Sequence, residues 1–331
     1  VDWNSHLWPL VWGTAGRLPT ALLLAGPAGV GKAEFAAAVA RGTLCMRPDA
    51  EYHACGACQS CRLFIADSHP DLRVIEAGLS EDEPAADQAP GSASARTISV
   101  DRIRDLREFT EMSSHLGGRK VVLINPAERL HPSAANALLK TLEEPPPATV
   151  FLLVCARPQL LLATLRSRCF RVEFRAPPQA AALTWLQEQG VSDPEVLLAY
   201  AANAPLAAVE LAKSPFWGQR QGIARLLATP RTRAAELAQA VEGDHVAAFC
   251  TLLYKWCADL LSQRLAGRIR YNPDYAKPLA QLAVNLDVLK VQALMRELSG
   301  TLRFIEHPLN PRLVCERAAL GYVRAVTGQE H

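Results

Sequence analysis

Apolar positions along this chain keep two rhythms, and the change from one to the other falls close to residue 176. From about 19 to 174, short apolar runs at 21–25, 72–75, 121–124, 150–155 and 171–174 alternate with stretches of helical period. Runs that short, separated by helices, predict a parallel sheet covered on its faces by helices. Ser99 is placed to cap a helix in which Ile103, Leu106 and Phe109 share one stripe. Ser133 is placed to cap another, with Ala135, Leu138, Leu139 and Leu142 inward and Pro145-Pro146-Pro147 ending it. Between 78 and 95 the chain is acidic, rich in Ala, Ser and Pro, and without period, which predicts a mobile loop.

Past Pro177-Pro178 the strand-like runs stop. A short set of helical patterns occupies 180–211, and longer amphipathic helices follow Ser214-Pro215. In one of these Phe249, Leu253, Trp256 and Leu260 recur at three- and four-residue steps, the stripe of a core-facing helix. No segment repeats at a period of 20–50 residues, so a solenoid is excluded.

With 331 residues, half of them hydrophobic, the chain can fill two or three cores. The formal charge is +2 and the basic residues are dispersed, so charge alone points to neither nucleic acid nor an anionic membrane. The opening Val1-Asp2-Trp3-Asn4 carries no basic leader, and runs such as 150–156 are strand-sized. The expectation is a cytoplasmic protein with no membrane contact.

The run GPAGVGKA at 26–33 follows the apolar stretch at 21–25 and precedes a helix-forming segment, the setting of a phosphate-binding P-loop. The backbone of such a turn, a helix N-terminus and a lysine attract oxyanions, so Gly26, Gly29, Val30, Gly31, Lys32 and Ala33 are the expected cradle. Ala33 stands where a hydroxyl would hold magnesium, and a methyl group coordinates no hard cation. After the run 121–124, where an aspartate and a glutamate would complete a hydrolase site, stand Asn125 and Pro126. The site therefore predicts phosphate binding without a magnesium site, leaving ATP or ADP as passive occupants and no hydrolysis. The bland reading is a simple strand-to-helix turn.

Cys55, Cys58 and Cys61 form a CxxCxxC run, and Cys45 lies ten positions upstream. Four thiolates close a tetrahedral zinc shell with no open position, so this reads as a structural zinc module over about 45–61. An iron–sulfur cluster is the chemical alternative, but Ile65 stands where its fourth cysteine would be. His53 and His69 stand nearby as substitute ligands.

Three features together resemble the clamp-loader AAA+ proteins: the cysteine set behind the P-loop helix, the run SAANALLKTLEEPP at 133–146, and Leu165-Arg166-Ser167-Arg168-Cys169. The resemblance is dense from 19 to 178; beyond it is mainly architectural, with Asn310-Pro311-Arg312-Leu313 resembling the family's last helix. It implies an α/β RecA-like AAA+ base over 1–175 carrying the inserted zinc module, a small helical lid over 176–213, and an all-α collar over 214–331. Members with a decayed magnesium site act as stators: they perform no catalysis themselves but complete a ring of five subunits inside a DNA polymerase holoenzyme. The partners so implied are ATPase subunits of the γ/τ type and a δ subunit, with the sliding clamp and primed DNA met through the complex. Arg168, from the Ser-Arg-Cys run, would then serve as an arginine finger in trans, against a neighbour's ATP.

Two further positions depart from active members of that family: Cys155-Ala156 at the end of the run 150–155, and Ala204 in Ala204-Pro205-Leu206-Ala207, where a nucleotide-sensing arginine would be. Two other functions compete. An active γ/τ-type ATPase is opposed by Ala33, Asn125 and Pro126, and a zinc-dependent nucleic-acid module by the scarcity of charge and aromatic surface around 55–62.

Overall fold

A computed structural model describes residues 2–13, 18–77, 97–230, 232–241, 245–305 and 310–327. The loop expected at 78–95 lies outside the described residues. The chain divides into two compact units, Val1–Pro177 and Pro178–His331.

The first unit opens with a 3-10 turn over Asp2–Leu7 and a short helix α1 (Trp8–Trp12). Strand β1 (Ala21–Ala25) then leads through the glycine turn into α2 (Lys32–Leu44), and α3 (Gln59–Ile65) and β2 (Leu72–Glu76) follow. Next come α4 (Val100–Glu111), β3 (Lys120–Asn125), α5 (Pro132–Glu143), β4 (Thr149–Cys155), α6 (Ala163–Ser167) and β5 (Phe170–Glu173). The five strands form one parallel sheet in the order β2-β3-β4-β1-β5. Every residue of β1 and β4 is buried, as two covered faces require. Leu23, Val122, Ile124, Phe151 and Leu153 share a core with Ile103, Leu106 and Phe109 of α4 and Ala134, Ala135 and Leu138 of α5. The alternate residues, such as Leu22, Leu24, Leu152 and Val154, are equally buried on the opposite face, where α2 packs on β1, β3 and β4.

Two local expectations need correction. Ser133 does not cap α5; the helix begins two residues earlier, and the cap is His131, whose Nδ1 accepts the Ser133 N–H at 3.3 Å. Pro132, at the first helical position, lacks the N–H that would be orphaned there, which moves the start upstream. Strand β5 runs over Phe170–Glu173 rather than 171–174. It is an edge strand with a single fully buried side chain, Val172, so its ends are weakly marked by hydrophobicity.

The second unit contains, among the described residues, helices and no strand: α7 (Gln179–Glu188), α8 (Pro194–Tyr200), α9 (Pro205–Lys213), α10 (Pro215–Leu227), α11 (Ala234–Gln239), α12 (Val246–Ala266), α13 (Ala276–Ala283), α14 (Val288–Phe304) and α15 (Pro311–Thr327). Ala182, Leu186, Leu197, Leu198 and Ala208 make a small core of α7 to α9. A larger one surrounds the stripe Phe249, Leu253, Trp256 and Leu260 of α12, all fully buried. There Trp256 Nε1 donates to the Tyr322 hydroxyl at 3.1 Å, which donates on to the Leu227 carbonyl at 2.6 Å, so both aromatic polar atoms are satisfied. Buried Asp259 accepts the backbone N–H groups of Arg270, Tyr271 and Asn272, which ties the chain after α12 back onto that helix. No single described helix is long and apolar enough to cross a membrane; α8 and α9 meet that test only as a pair bent by 109°.

Candidate functional site

The connection from β1 crosses to β2 on one side of the sheet, whereas that from β4 passes to β5 on the other. Ligand crevices in open α/β sheets form at such a switch point, outside the carboxyl ends of the strands. Here β1 ends in the glycine turn and β4 ends in Cys155, with Ala25 opposite Cys155 in register and Gly26 N donating to Cys155 O at 3.2 Å. Gly29 (φ 75°) and Gly31 (φ 94°) take left-handed conformations that suit glycine. Gly26 needs its missing side chain for space, since a Cβ would stand 2.3 Å from the Phe174 carbonyl oxygen. Val30 is buried, and its carbonyl accepts from Trp3 Nε1 at 3.0 Å and Asn4 Nδ2 at 2.8 Å, so the N-terminal turn braces the loop. Lys32 opens α2 and Ala33 follows it, half-buried, presenting a methyl group.

Lys32 is buried, and its Nζ donates to the Pro27 carbonyl at 2.5 Å, within its own loop. Burial pushes its pKa down, opposed by the negative field of Glu128. That glutamate escaped the sequence reading. It sits in a 3-10 turn over Ala127–Arg129, just past the end of β3, with its side chain only 4% exposed. Its two carboxylate oxygens accept the Ala156 N–H at 3.2 and 3.1 Å, and the guanidinium of Arg157 lies 3.9 Å away. Burial first, and then Glu128, pushes the neighbouring Cys155 thiol up to about 12, so that sulfur stays neutral. Asn125 and Pro126, half-buried at the end of β3, bring no carboxylate. A sequence signal existed: an acidic residue three positions past the strand, within reach of one tight turn.

Cys45, Cys55, Cys58 and Cys61 converge with all four sulfurs within 4.8 Å of one another. The Cys45 Sγ lies 3.9 Å from Cys58 Sγ and 3.7 Å from Cys61 Sγ. A tetrahedral zinc with Zn–S near 2.3 Å requires sulfurs about 3.8 Å apart, so the set fits a metal such as zinc. The sulfurs also accept backbone donors, Cys55 N to Cys45 at 3.3 Å and Cys61 N to Cys58 at 3.4 Å, which favour thiolates. Burial opposes ionisation of Cys58, yet the Cys61 and Met46 N–H groups hold its pKa down at about 6, while burial beside Cys58 pushes Cys61 up to about 12. Four sulfurs this close cannot all carry charge without a cation among them.

Neither histidine serves as a ligand. His69 Nδ1 accepts the Asp71 N–H at 3.1 Å, which leaves the proton on Nε2; that nitrogen contacts Ser60 Oγ at 2.8 Å, and the Ser60 hydroxyl donates to Leu44 O at 2.6 Å. The relay satisfies the last carbonyl of α2, one residue before Cys45. His53 stacks flat on Trp8, ring centroids 4.5 Å apart, and Tyr52 stacks on Trp12 at 4.4 Å. The cysteine module thus joins the C-terminal end of α2 to the N-terminal segment that braces the P-loop at Val30.

Arg168 ends α6 and is exposed. Its Nη1 donates to the Thr164 carbonyl at 3.1 Å and its Nη2 pairs with the Glu143 carboxylate at the end of α5. Neighbouring Cys169 is buried, and burial pushes its thiol up to about 11, so it anchors the turn without being reactive.

The family model described as DNA polymerase III, delta subunit, matches residues 13–178. The DNA polymerase III subunit delta′ of Pseudomonas aeruginosa is 38% identical over 265 residues, 78% of this chain and 74% of that protein. The subunit delta′ of Escherichia coli is 34% identical over 286 residues, 85% of this chain and 81% of its own length. That of Yersinia pestis is 36% identical over 285 residues, 82% and 78% of the two chains.

Proposed function

The chain belongs to the DNA polymerase III subunit delta′ family, and from that premise we propose that it is a non-hydrolysing stator of the replicative clamp loader. In that role it assembles in the cytoplasm with γ/τ-type ATPase subunits and a δ subunit, as one member of a ring of five. Through the complex it meets the sliding clamp and primed DNA. The helices over 176–213 serve as its lid and those over 214–331 as its collar, the part that holds the ring together. Zinc in the Cys45, Cys55, Cys58 and Cys61 shell is structural: it closes a segment too small to fold alone.

One observation carries the reading: the ionic groups of the two phosphate-related sites are arranged in opposite senses. At the chain's own P-loop there is no hydroxyl at Ala33 and no carboxylate at Asn125 or Pro126, and Lys32 is folded onto Pro27. At the surface, Arg168 holds a cation on the end of a helix, bonded to the Thr164 carbonyl and paired with the Glu143 carboxylate. A guanidinium so placed can spread positive charge over the oxygens of a neighbour's triphosphate without a metal of its own.

The test is steady-state ATP hydrolysis. The chain alone is expected to show none above background, and Arg168→Ala is expected to slow the assembled loader at the interface it serves, by up to ~10³-fold at that site. Hydrolysis by the isolated chain with magnesium at the rate of an ordinary AAA+ protein would sink the proposal. It would restore the active γ/τ-type reading.

A further inference from the structure

We infer that Glu128 is a built-in anion that takes the place of phosphate in the P-loop crevice, so that the loop is held closed by its own chain and excludes nucleotide. The inference rests on the P-loop being a phosphate cradle, and not on the trans role of Arg168.

Three groups that would serve a bound phosphate are already engaged. The N–H of Ala156, at the mouth of β4, is shared by both carboxylate oxygens of Glu128 at 3.2 and 3.1 Å. The Lys32 ammonium spends one of its three N–H donors on Pro27 O at 2.5 Å and sits in the negative field of Glu128. The Arg157 guanidinium, 3.9 Å from the same carboxylate, gives it a second cationic neighbour. With its side chain 4% exposed, the carboxylate is withdrawn from solvent beside the end of β4, whose Cys155 carbonyl accepts the Gly26 N–H of the P-loop.

The electrostatics follow from that placement. A buried carboxylate is tolerated when hydrogen-bonded and near cations, and both conditions are met here. An incoming phosphate would face a like charge in a poorly solvated space, a repulsion much larger than between the same groups in water. The retained glycines and lysine therefore form a cradle whose occupant is already supplied. Glu128 then does what a bound nucleotide does elsewhere: it ties the ends of β3 and β4 together beside the lysine at the start of α2.

The experiment uses the full chain in magnesium-free buffer without a chelator, so that the cysteine shell is left intact. Melting temperature and equilibrium binding are measured with inorganic pyrophosphate and with ADP, for the natural chain, Glu128→Ala, Glu128→Gln and Glu128→Ala with Lys32→Met. The natural chain is expected to ignore both probes. Glu128→Ala should melt lower and bind ADP at least about tenfold more tightly, the effect of removing one like charge near contact distance. Either probe should restore its melting temperature, and adding Lys32→Met should abolish the gain. Glu128→Gln keeps an acceptor for Ala156 N without the charge, so it should gain binding with a smaller thermal loss. Zinc content of one per chain serves as the check that each variant is folded. Equal ADP affinity in the natural chain and in Glu128→Gln would overturn the inference, as would folded Glu128 variants that gain nothing. Because Arg168→Ala is read only in the assembled loader, failure there leaves this result untouched, and failure here leaves that one untouched.

Discussion

Removing zinc should loosen the N-terminal segment, which itself contains no cysteine. The path runs from the four sulfurs through Tyr52 and His53 to Trp12 and Trp8, and from the N-terminal turn through Trp3 and Asn4 to Val30 in the P-loop. The stacked pairs, with centroids 4.5 and 4.4 Å apart, contribute about 0.5–1.5 kcal/mol each beyond area burial. The Trp8 Nε1 bond to the Glu51 carbonyl, 2.7 Å long, adds about 1 kcal/mol. Together they amount to roughly 2–4 kcal/mol of docking energy that exists only while the module is folded, roughly a 30- to 1,000-fold change in the docked population. The assay is stepwise zinc removal from the whole chain, with released metal quantified colorimetrically and the tryptophan signal followed by near-ultraviolet circular dichroism. The expected outcome is loss of the Trp8 and Trp12 signal in proportion to zinc released, and limited proteolysis within the first twelve residues. Trp8→Ala should give a smaller loss on chelation. If one equivalent of zinc leaves and the aromatic signal and melting curve stay as they were, the coupling drawn from these contacts is wrong.

Gly42→Ala should destabilise the chain even though alanine is the better helix former by about 1 kcal/mol, because its Cβ would stand 2.2 Å from the Tyr52 carbonyl oxygen; thermal melting and zinc retention report it. Glu143→Gln removes the partner of the Arg168 guanidinium, and since that pair is exposed the isolated chain should lose no more than about 1 kcal/mol. In the assembled loader the same change should lower the KM for ATP, because the guanidinium no longer has to leave a carboxylate; an unchanged KM speaks against Glu143 as its resting place. Lys255, its Nζ bonded to the Tyr200 carbonyl, is pushed down to about 8 by burial and then by Arg220. The unfolded chain keeps that proton up to 10.5 and the folded chain releases it from about 8, so stability should rise with pH between those values, by up to about 3 kcal/mol. Denaturant titrations of Lys255→Met should lack that rise, and parallel curves for the two proteins would contradict it.

Periodicity located all five strands to within a residue at either end, missing polar end residues such as Glu76, Lys120 and Thr149; at β5, where Phe170 is 46% exposed and one side chain carries the burial, the whole run is displaced by one. The cysteine site was readable since its ligands lie within seventeen residues at turn-compatible spacing. What stayed hidden has a common cause: it depends on which residues a turn brings back. His131 was passed over because a serine two positions on fits the capping rule better, until Pro132 shifts the helix start. The stacking of Trp8 on His53 joins positions 45 apart, and the Arg168–Glu143 pair joins positions 25 apart. No local pattern encodes such meetings.

Glu128 shows the same cause at the level of function. A carboxylate at 125 would project from the end of β3, where such strands hold magnesium against phosphate, and Asn125 removes it. Three residues later the chain has turned through Pro126, and a carboxylate there reaches the Ala156 N–H and the field of Lys32 instead. The chemical group is retained, but the turn reverses its effect: at the strand end it would recruit a cation that welcomes triphosphate, and from the turn it confronts triphosphate directly. A count of motif residues scores this site as missing an acid, whereas the geometry makes the acid the reason the site is closed. In the proposed stator role, the exposed cation at Arg168 then acts on a partner's nucleotide while the chain's own cradle stays shut.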